Sequence, residues 1–497
     1  MKAAFLLSRS LMELLEHAPK LHVWVVGDAF LDDYIEGAIK RVSPEAPVQV
    51  VNVENQFQRL GGAANVANGL AELGARVTLA AITGRDAPGH ALAELCAEKN
   101  IDTQCLIRVP DRPTIRKLRV MSRRQQMIRL DWENPEPIDD QTRQALFDAL
   151  DHADPPDAIL LSDYAKGVLT DNVIQTLVEK GRSRNIPVVV DPKSRDFSRY
   201  SRASIIAPNL SEFETAAGRA VDPLDETAMA EAAKSLCENC RLDALLITLG
   251  ELGMALWSPE NGLKRVDTRA REVYDVTGAG DTVVAALGLC LAAKMDFQTA
   301  AMIANAAAGI VVGKAGTSTA SPAELVESLS PPLENKILDT NTLAEHVRWW
   351  RMRKKRIVFT NGCFDLLHVG HLHILNQAAA QGDLLVVGLN TDASIARLKG
   401  ADRPLIAEHE RASMLAAFDC VDAVVLFDED TPVNLIHTIK PDVLVKGSDY
   451  RMDQVVGREV VEKYGGRVVL VDFLPNQSTS LLIERIRGGP RNSGSLN

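Results

Sequence analysis

The sequence predicts two consecutive α/β domains, and three observations predict this fold class. The chain has 497 residues, which is more than one hydrophobic core usually organises. Short β-branched runs alternate with segments of helical period in two series, a longer one over residues 23–247 and a shorter one over residues 357–471. Between them, Pro331 and Pro332 should stop the preceding helix. We therefore expect a three-layer α/β/α domain over residues 1–330, a linker over 331–355 and a smaller α/β domain over 356–497.

Composition narrows the classes of function. Hydrophobic residues make up 46% of the chain and charged residues 24%, which is ordinary for a globular protein. A net charge of -11 offers no basic surface for nucleic acid, and the longest apolar run, over residues 283–293, is too short to span a bilayer. The first residues carry no export signal, and the seven cysteines suggest no disulfide framework. We expect a cytoplasmic protein with neither a membrane nor a nucleic-acid partner.

One close pair of cysteines has metal-like spacing. Cys237 and Cys240 form a CxxC sequence, but no second pair of candidate ligands follows nearby. The two readings are a zinc or redox site and a pair of packing or surface cysteines, and the second is favoured.

In the longer series, polar and glycine residues follow the first strand and begin the next helix. Asp28 ends the first strand, while Gly61, Gly62 and Asn65 stand where the helix starts. Parallel-sheet proteins bind small ligands at the carboxyl ends of their strands. These residues are therefore candidates for a ligand site.

Several basic residues occur in or just after predicted strands of the same series. Lys166 follows the strand at residues 158–161, and Lys117, Arg119 and Arg129 lie in strand-like sequence. A substrate that already bears a phosphate needs such cations, although charges on an exposed strand face would give the same pattern. Lys166 is the first candidate.

The segment DVTGAGDT, residues 275–282, opens a long helix. Gly278, Ala279 and Gly280 allow the backbone to approach a ligand, and a helix N-terminus directs free N–H groups at a phosphoryl group in transfer. Asp281 adds a carboxylate that can take a proton from an attacking hydroxyl. The alternative is a glycine-rich helix start in which Asp281 is only a first-turn carboxylate.

Together these segments resemble the two signatures of the ribokinase-like carbohydrate kinases, over residues 21–329. The resemblance implies a ribokinase-like fold in which Asp281 is the catalytic base, residues 278–280 form the anion hole and Asp28, Gly61, Gly62 and Asn65 hold the sugar. It also implies that ATP and its Mg²⁺ lie near the PNLSE segment and a following strand, without a fixed protein metal site, and that ATP is bound by Asn209, Leu210, Ser211, Glu212, Thr248, Gly250 and Gly253.

In the shorter series, a strand at residues 357–359 runs into TNGCFDLLHVGH, after which a helix is predicted. His368 and His371 flank a glycine at this helix start and can donate to phosphate oxygens. A metal site is the other interpretation, but the usual zinc pair has i, i+4 spacing on a formed helix. Donation to phosphate is therefore favoured.

Further polar residues downstream stand at strand ends or helix starts. Together with the TNGCFDLLHVGH motif, these residues resemble the HxGH cytidylyltransferase-like nucleotidyltransferases, over residues 356–487. The resemblance implies a Rossmann-like fold. By that resemblance His368 and His371 stabilise the triphosphate, without a covalent intermediate. The other residues implied to bind ATP are Asn361, Gly362, Phe364, Asp365, Lys399, Arg403, Lys446, Ser478, Thr479 and Ser480.

The two halves in this order, together with SPEAP at residues 43–47 and RLDWE at residues 129–133, resemble the bifunctional enzymes of ADP-heptose biosynthesis, which serve lipopolysaccharide core assembly. The resemblance implies heptose phosphates and ATP as substrates, Mg²⁺ with ATP, a homodimer, and a separate bisphosphate phosphatase acting between the two steps. The alternatives are a kinase joined to a cytidylyltransferase for another sugar or polyol phosphate, and a non-catalytic sugar-phosphate sensor.

Overall fold

The computed structural model describes residues 2–122, 125–268, 276–314, 318–329, 336–448 and 451–472. The chain divides into two compact units, Met1–Pro331 and Pro332–Asn497. Within the described ranges, none of the helices combines the length and apolar character that crossing a bilayer requires.

The first unit alternates strands and helices. Its described strands are β1 (His22–Gly27), β2 (Ala29–Val42), β3 (Gln49–Gly62), β4 (Arg76–Gly84), β5 (Leu106–Val109), β6 (Arg116–Ser122), β7 (Gln125–Trp132), β8 (Ala158–Ser162), β9 (Val188–Asp191), β10 (Ile205–Ile206), β11 (Ala244–Thr248), β12 (Met254–Ser258) and β13 (Gly262–Val266). Its described helices are α1 (Lys2–His17), α2 (Ala63–Glu72), α3 (Ala87–Glu98), α4 (Asp140–His152), α5 (Asp171–Arg184), α6 (Leu210–Ala217), α7 (Glu226–Cys240), α8 (Ala279–Ala292), α9 (Phe297–Val311) and α10 (Pro322–Leu329).

The helix starts follow local chemistry. Asp86, Asp139, Thr170, Asp225 and Asp296 each precede a helix, and their side chains accept backbone N–H groups of its first turn. Such caps satisfy donors that the helix itself leaves open.

Over the described residues, the central sheet has the strand order β13-β12-β11-β10-β9-β8-β1-β4-β5. The strands from β11 to β5 run parallel, and β12 and β13 are antiparallel additions at the edge. Ile159 and Leu161 of β8 face a core shared with α4, α5 and α7, whereas Leu160 packs against Gly288 of α8 on the other face. Helices therefore cover both faces, which confirms the predicted three-layer α/β/α arrangement.

The first unit also has a four-stranded sheet, with the order β3-β2-β6-β7, that is separate from the central sheet. We call these four strands the lid sheet. β2 starts at Ala29, two residues after β1 ends, so the lid sheet grows directly from the edge where β1 presents its carboxyl end.

The second unit is a smaller α/β fold. Its described strands are β14 (Ile337–Leu338), β15 (Ile357–Gly362), β16 (Leu384–Asn390), β17 (Ala423–Phe427), β18 (Val443–Gly447) and β19 (Arg467–Val471). Its described helices are α11 (Thr340–Met352), α12 (Val369–Ala379), α13 (Asp392–Lys399), α14 (Glu408–Ala416), α15 (Val433–Ile439) and α16 (Arg458–Lys463). The strands pair in parallel in the order β14-β17-β16-β15-β18-β19. The order reverses between β15 and β18, which is where doubly wound sheets bind nucleotides.

The segment expected as a linker, residues 331–355, differs from that expectation. β14 pairs with β17 of the second sheet, and α11 contributes Leu343, Val347 and Trp350 to a core cluster of the second unit. The apolar period of α11 is therefore used for packing, and the second unit begins upstream of residue 356.

Candidate active sites

The centre of the first site is the carboxylate of Asp281. It lies in the first turn of α8, whose N-terminal cap is Gly278 in the left-handed conformation (φ 79°). Asn65 Nδ2 donates to Asp281 Oδ2 at 2.7 Å, and the Tyr164 hydroxyl donates to Oδ1 at 2.7 Å. Burial raises the pKa of Asp281 to about 6, although both hydrogen bonds act in the opposite direction. A carboxylate with this pKa suits general-base chemistry near neutral pH.

Gly61 and Gly62 bring the end of β3 close to the start of β2. A Cβ at Gly61 would lie 2.3 Å from the Phe30 ring and 2.7 Å from Asp32 Oδ2, and one at Gly62 would lie 2.3 Å from the Asp28 carbonyl oxygen. Gly62 also has a positive φ of 57°. A side chain at either glycine would therefore collide with β2 or the residue before it.

The structure gives Asp28 a different role from the predicted sugar contact. Its carboxylate is fully buried and accepts the backbone N–H groups of Tyr164, Lys166 and Val168. Burial nevertheless raises its pKa, because desolvation outweighs these bonds. Asp28 therefore fixes the loop that carries Tyr164, and it acts on the site through that loop.

The nucleotide-side residues come together with Asp281 in one cavity. Asn209, Glu212 and Thr248 line it opposite Gly278, Gly280 and Asp281. Asn209 caps α6, and its side chain and that of Glu212 bond each other's backbone N–H in a capping box. Glu212 also pairs with Lys193 at 2.9 Å.

The remaining predicted nucleotide residues lie beside these. Leu210 and Ser211 form the first turn of α6, and Ala279 that of α8. Gly250 and Gly253 bound the turn after β11, both with positive φ. A Cβ at Gly253 would lie 2.2 Å from the Val266 carbonyl oxygen, so this glycine permits a close backbone contact.

Lys166 is neutralised in the structure. Its ammonium pairs with Glu133 of the segment after β7 at 2.7 Å, and both side chains are partly buried. The sequence placed Lys166 first among the candidate phosphate-binding cations, but could not show a carboxylate that lies 33 residues away along the chain.

Three site residues were missed by the sequence reasoning. Tyr164 is the donor to Asp281, Asp32 is a buried carboxylate of β2 against Gly61, and Asp191 ends β9 in the same cavity. Burial, with Asp281 as the next largest contribution, raises the pKa of Asp191 well above its usual range. Asp32 and Asp191 could have been recognised from the sequence, because each is an acidic residue within or at the end of an apolar strand.

The centre of the second site is the histidine pair at the start of α12. His368 caps the helix, and its Nδ1 accepts the N–H of Gly370 at 3.1 Å. The two rings of His368 and His371 lie 4.0 Å apart, and Phe364 packs 5.3 Å from His371. Burial lowers the pKa of His371 to about 4, helped by the charges of His368 and Lys399. Burial also lowers the pKa of His368, so both rings are neutral at pH 7 and each carries one N–H donor.

His371 Nδ1 is buried, and no described group hydrogen-bonds to it. An unsatisfied buried nitrogen of this kind is costly unless a ligand or water completes it.

Asn361 and Lys446 meet at the point where the strand order reverses. They lie at the ends of β15 and β18, and Lys446 Nζ donates to Asn361 Oδ1 at 2.5 Å. This is the position that a doubly wound sheet offers to a nucleotide phosphate.

Asp365 and Arg403 hold the loop around the histidines. Arg403 pairs with the buried carboxylate of Asp365, which also accepts the N–H of Leu405 at 2.6 Å. Gly362 ends β15, and a Cβ at this glycine would lie 3.1 Å from the Phe364 ring in the loop. Arg403, expected to neutralise phosphates, is thus already paired with a carboxylate.

Lys399 ends α13 and is exposed, within electrostatic range of His371. Ser478, Thr479 and Ser480 lie outside the described residues.

Arg411 was missed by the sequence reasoning. Its side chain is fully buried and donates to the carbonyl oxygens of Cys363, Asn390 and Ile406, and to Asp392. One guanidinium thus joins the loop after β15 to the end of β16. Sequence alone shows only an arginine in a helix, because its burial is a tertiary property.

The comparisons with known proteins agree with the division of the chain into two compact units. A family model described as pfkB family carbohydrate kinase matches residues 22–324, and one described as cytidylyltransferase-like matches residues 359–484. The chain is 48% identical to the bifunctional protein HldE of Geobacter sulfurreducens, over 96% of this chain and 98% of that protein. It is 48% identical to that of Geotalea uraniireducens, over 97% and 99%.

Solved structures resemble the first unit in fold. Arabidopsis thaliana ribokinase complexed with ribose and ATP matches 63% of this chain and 99% of its own, with a TM-score of 0.51 and 19% identity. Escherichia coli phosphofructokinase-2 in complex with potassium matches 62% and 97%, with a TM-score of 0.53 and 19% identity. These likenesses confirm the ribokinase-like fold of that unit.

Proposed function

We propose the function of this chain from the premise that it belongs to the family of bifunctional HldE proteins, joining a pfkB-type carbohydrate kinase to a cytidylyltransferase-like unit. The first unit phosphorylates D-glycero-D-manno-heptose 7-phosphate at O1 with ATP. The second transfers an adenylyl group from ATP to heptose 1-phosphate and gives ADP-heptose and pyrophosphate. The observation that carries the proposal is the buried base Asp281, set at a helix N-terminus in one cavity with the nucleotide-side residues.

In the kinase step, Asp281 takes the proton of the O1 hydroxyl as that oxygen attacks the γ-phosphorus of ATP. The bond from this phosphorus to the bridging oxygen breaks, and ADP leaves. The N–H groups at the start of α8, from residues 278–280, stabilise the charge on the phosphoryl oxygens in transfer. Asn65 and Tyr164 hold the base in place.

The nucleotide of the kinase lies along Asn209, Glu212 and Thr248. Mg²⁺ enters with ATP as part of the substrate, and Glu212 and Asp191, two of the carboxylates that line the cavity, would hold it. Carboxylate oxygens suit this cation, which usually keeps several waters and phosphate oxygens as ligands.

In the adenylyl step, an oxygen of heptose 1-phosphate attacks the α-phosphorus of ATP, and pyrophosphate leaves. His368 and His371 are neutral and donate hydrogen bonds to the phosphate oxygens as charge develops there. Lys399, whose charge acts on His371, and Lys446, which lies at the end of β18, add positive charge. The chain's own side chains form no bond to the adenylyl group.

We also propose a cytoplasmic homodimer that works with a separate bisphosphate phosphatase. The kinase leaves the 7-phosphate in place, whereas the adenylyl acceptor is a 1-phosphate without it. One dephosphorylation must therefore separate the two steps.

The test is an assay of the purified chain with ATP, Mg²⁺ and a panel of sugar 7-phosphates, with products read by mass spectrometry. Heptose 7-phosphate should be the best acceptor. A second assay compares ATP with CTP on heptose 1-phosphate. Preference for CTP, or equal use of unrelated sugar phosphates, would reject this assignment.

A further inference from the structure

The register of the lid sheet places a set of charged side chains on one face. Asp32 of β2 pairs with Arg59 of β3 on one side and with Lys117 of β6 on the other, and Lys117 pairs with Asp131 of β7. Directly paired residues share a face of the sheet. The next row on this face has Tyr34 at its centre, flanked by the cross-strand residues Phe57, Arg119 and Arg129.

This face is turned toward the kinase site. The Lys117 ammonium lies 3.9 Å from the centroid of the Phe30 ring and 5.6 Å from that of Tyr164. Phe30 packs edge-on against Tyr164, with centroids 5.2 Å apart, and Tyr164 donates to Asp281. Tyr164 therefore lies next to both Lys117 and Asp281.

Two of the cations on this face are paired with carboxylates. Arg119 pairs with Asp32 at 2.5 Å and Arg129 with Asp131 at 2.9 Å. Lys117, in contrast, forms no ion pair with any carboxylate that the structure describes, and rests on aromatic rings. Burial lowers its pKa, while Asp32 and Asp131 act against that shift.

The net charge of this face is similar in size and opposite in sign to the charge of a phosphate group. Over the two described rows, the cations are Arg59, Lys117, Arg119 and Arg129, against the carboxylates Asp32 and Asp131. The face thus has an excess of two positive charges. A sugar phosphate carries about -1.5 to -2 at pH 7.

We propose that Lys117, on the site-facing side of the lid sheet, binds the phosphate that the sugar substrate already carries. The inference rests on the proposed function, in which the acceptor is a sugar 7-phosphate. With O1 at Asp281, the 7-phosphate lies at the far end of the sugar, beyond the Tyr164 ring and under the lid sheet. Lys117 then determines specificity, because a sugar with a free 7-hydroxyl leaves a half-buried cation without its anion.

The test compares Lys117→Met with Lys117→Arg, using heptose 7-phosphate and the unphosphorylated heptose as acceptors. Removing the ammonium should raise KM for heptose 7-phosphate about 10- to 100-fold, the loss expected for one charge-assisted hydrogen bond. At pH 8, above the acid limb set by Asp281, KM for ATP and kcat/KM for the unphosphorylated sugar should stay within a few-fold of the wild-type values. Lys117→Arg should recover much of the preference.

Two further variants make the result specific. Lys180→Met removes a lysine that also lies over an aromatic ring, Trp24, but pairs with Asp151 at the edge where the strands begin; its kinetics should be unchanged. Lys166→Met removes the cation paired with Glu133 and should affect the preference less than Lys117→Met. If Lys166→Met abolished the preference and Lys117→Met kept it, the proposal would be wrong.

A binding measurement separates this proposal from the proposed function. With the nucleotide sites saturated by a non-hydrolysable ATP analogue, inorganic phosphate should bind the wild type and bind Lys117→Met at least about tenfold more weakly. A wild type inert toward heptose 7-phosphate would reject the substrate assignment alone. Equal phosphate binding by wild type and Lys117→Met would reject the role of Lys117.

Discussion

The phenol of Tyr164 donates a hydrogen bond to Asp281 Oδ1 at 2.7 Å, on the side of the carboxylate opposite the amide of Asn65. Burial and the charge of Asp32 favour the protonated acid, whereas these two donors and Lys117 favour the anion. The balance leaves the pKa of Asp281 at about 6. The base is therefore ionised at pH 7 and remains a better proton acceptor than an exposed aspartate.

Tyr164→Phe should move the acid limb of the kinase pH profile upward. The hydrogen bond stabilises the charged form of Asp281, so its loss raises the pKa of that carboxyl. A bond of this type corresponds to roughly one to two pH units. The measurement is kcat/KM for the sugar phosphate between pH 5 and 9, where activity at the alkaline end should be largely retained.

The control is Tyr200→Phe, which removes a hydroxyl bonded to Asp163 rather than to Asp281. This variant should keep the acid limb near pH 6. If the limb also stayed there in Tyr164→Phe, the phenol would not tune the base.

Asp281→Asn should abolish sugar phosphorylation and leave adenylyl transfer within a few-fold of wild type. Loss of a general base typically costs about two to four orders of magnitude, and the histidine pair lies in the other compact unit. Each half-reaction is assayed separately on one preparation. Retained kinase activity would remove Asp281 from the role of base, and parallel loss of both activities would indicate misfolding.

His368→Ala and His371→Ala should have the converse effect. Removing one donor to a developing negative charge typically costs about two to three orders of magnitude in rate, so release of pyrophosphate should fall while kinase activity persists. Equal loss of both half-reactions would instead indicate one composite site.

The titration of His371 can be followed directly. Its pKa is lowered to about 4, so the ring stays neutral as pH falls through 6.5 and becomes charged only near pH 4. Imidazole NMR shifts of the free protein should show this, with His371→Ala identifying the resonance. A His371 signal titrating at or above pH 6.5 would contradict neutral donation to the triphosphate.

The sequence was sufficient to place residues whose position depends on local chemistry. The glycines and carboxylate at the start of α8, and the histidines at the start of α12, lie where strand ends and helix starts predicted them. It was insufficient where a role depends on a distant partner. The pairing of Lys166 with Glu133, and that of Arg403 with Asp365, arise from packing between segments far apart in the chain.

The same limit explains the misplaced start of the second unit. A proline pair interrupts the interior of a helix, but whether the next helix belongs to a linker or to a folded unit depends on what its apolar face contacts. Trp350 of α11 is buried in a core with Ile357 and Ile436, and this contact appears only in the fold.

Fragments should reveal that boundary. Residues 1–331 should fold and phosphorylate the sugar, and residues 332–497 should fold and transfer the adenylyl group, because each unit has its own core. A fragment of residues 356–497 lacks the buried side chains of Leu343, Val347 and Trp350. Removing several buried side chains lowers the free energy of unfolding by more than the total stability of a typical domain. This fragment should therefore be strongly destabilised. Thermal unfolding of the three fragments tests this. Equal stability of the 332–497 and 356–497 fragments would show that α11 is dispensable.

The last prediction concerns the intermediate between the two half-reactions. Given heptose 7-phosphate and ATP alone, the chain should accumulate the 1,7-bisphosphate. The kinase adds a phosphate at O1, next to Asp281, and the 7-phosphate under the lid sheet is not touched by that chemistry. No described group of three or more His, Cys, Asp or Glu side chains could hold a metal for phosphate hydrolysis.

The second site should also reject the bisphosphate. A retained 7-phosphate adds about -1.5 to -2 of charge to a pocket that already holds a triphosphate, so like-charge repulsion disfavours the bisphosphate as acceptor. Mass spectrometry should show the bisphosphate alone in the absence of a sugar-bisphosphate phosphatase, and ADP-heptose after it is added. The Asp281→Asn variant, given heptose 1-phosphate, is the control that the second site is active. Rapid formation of ADP-heptose from heptose 7-phosphate without the phosphatase would show that the chain removes the 7-phosphate itself, and would overturn the proposed order of steps.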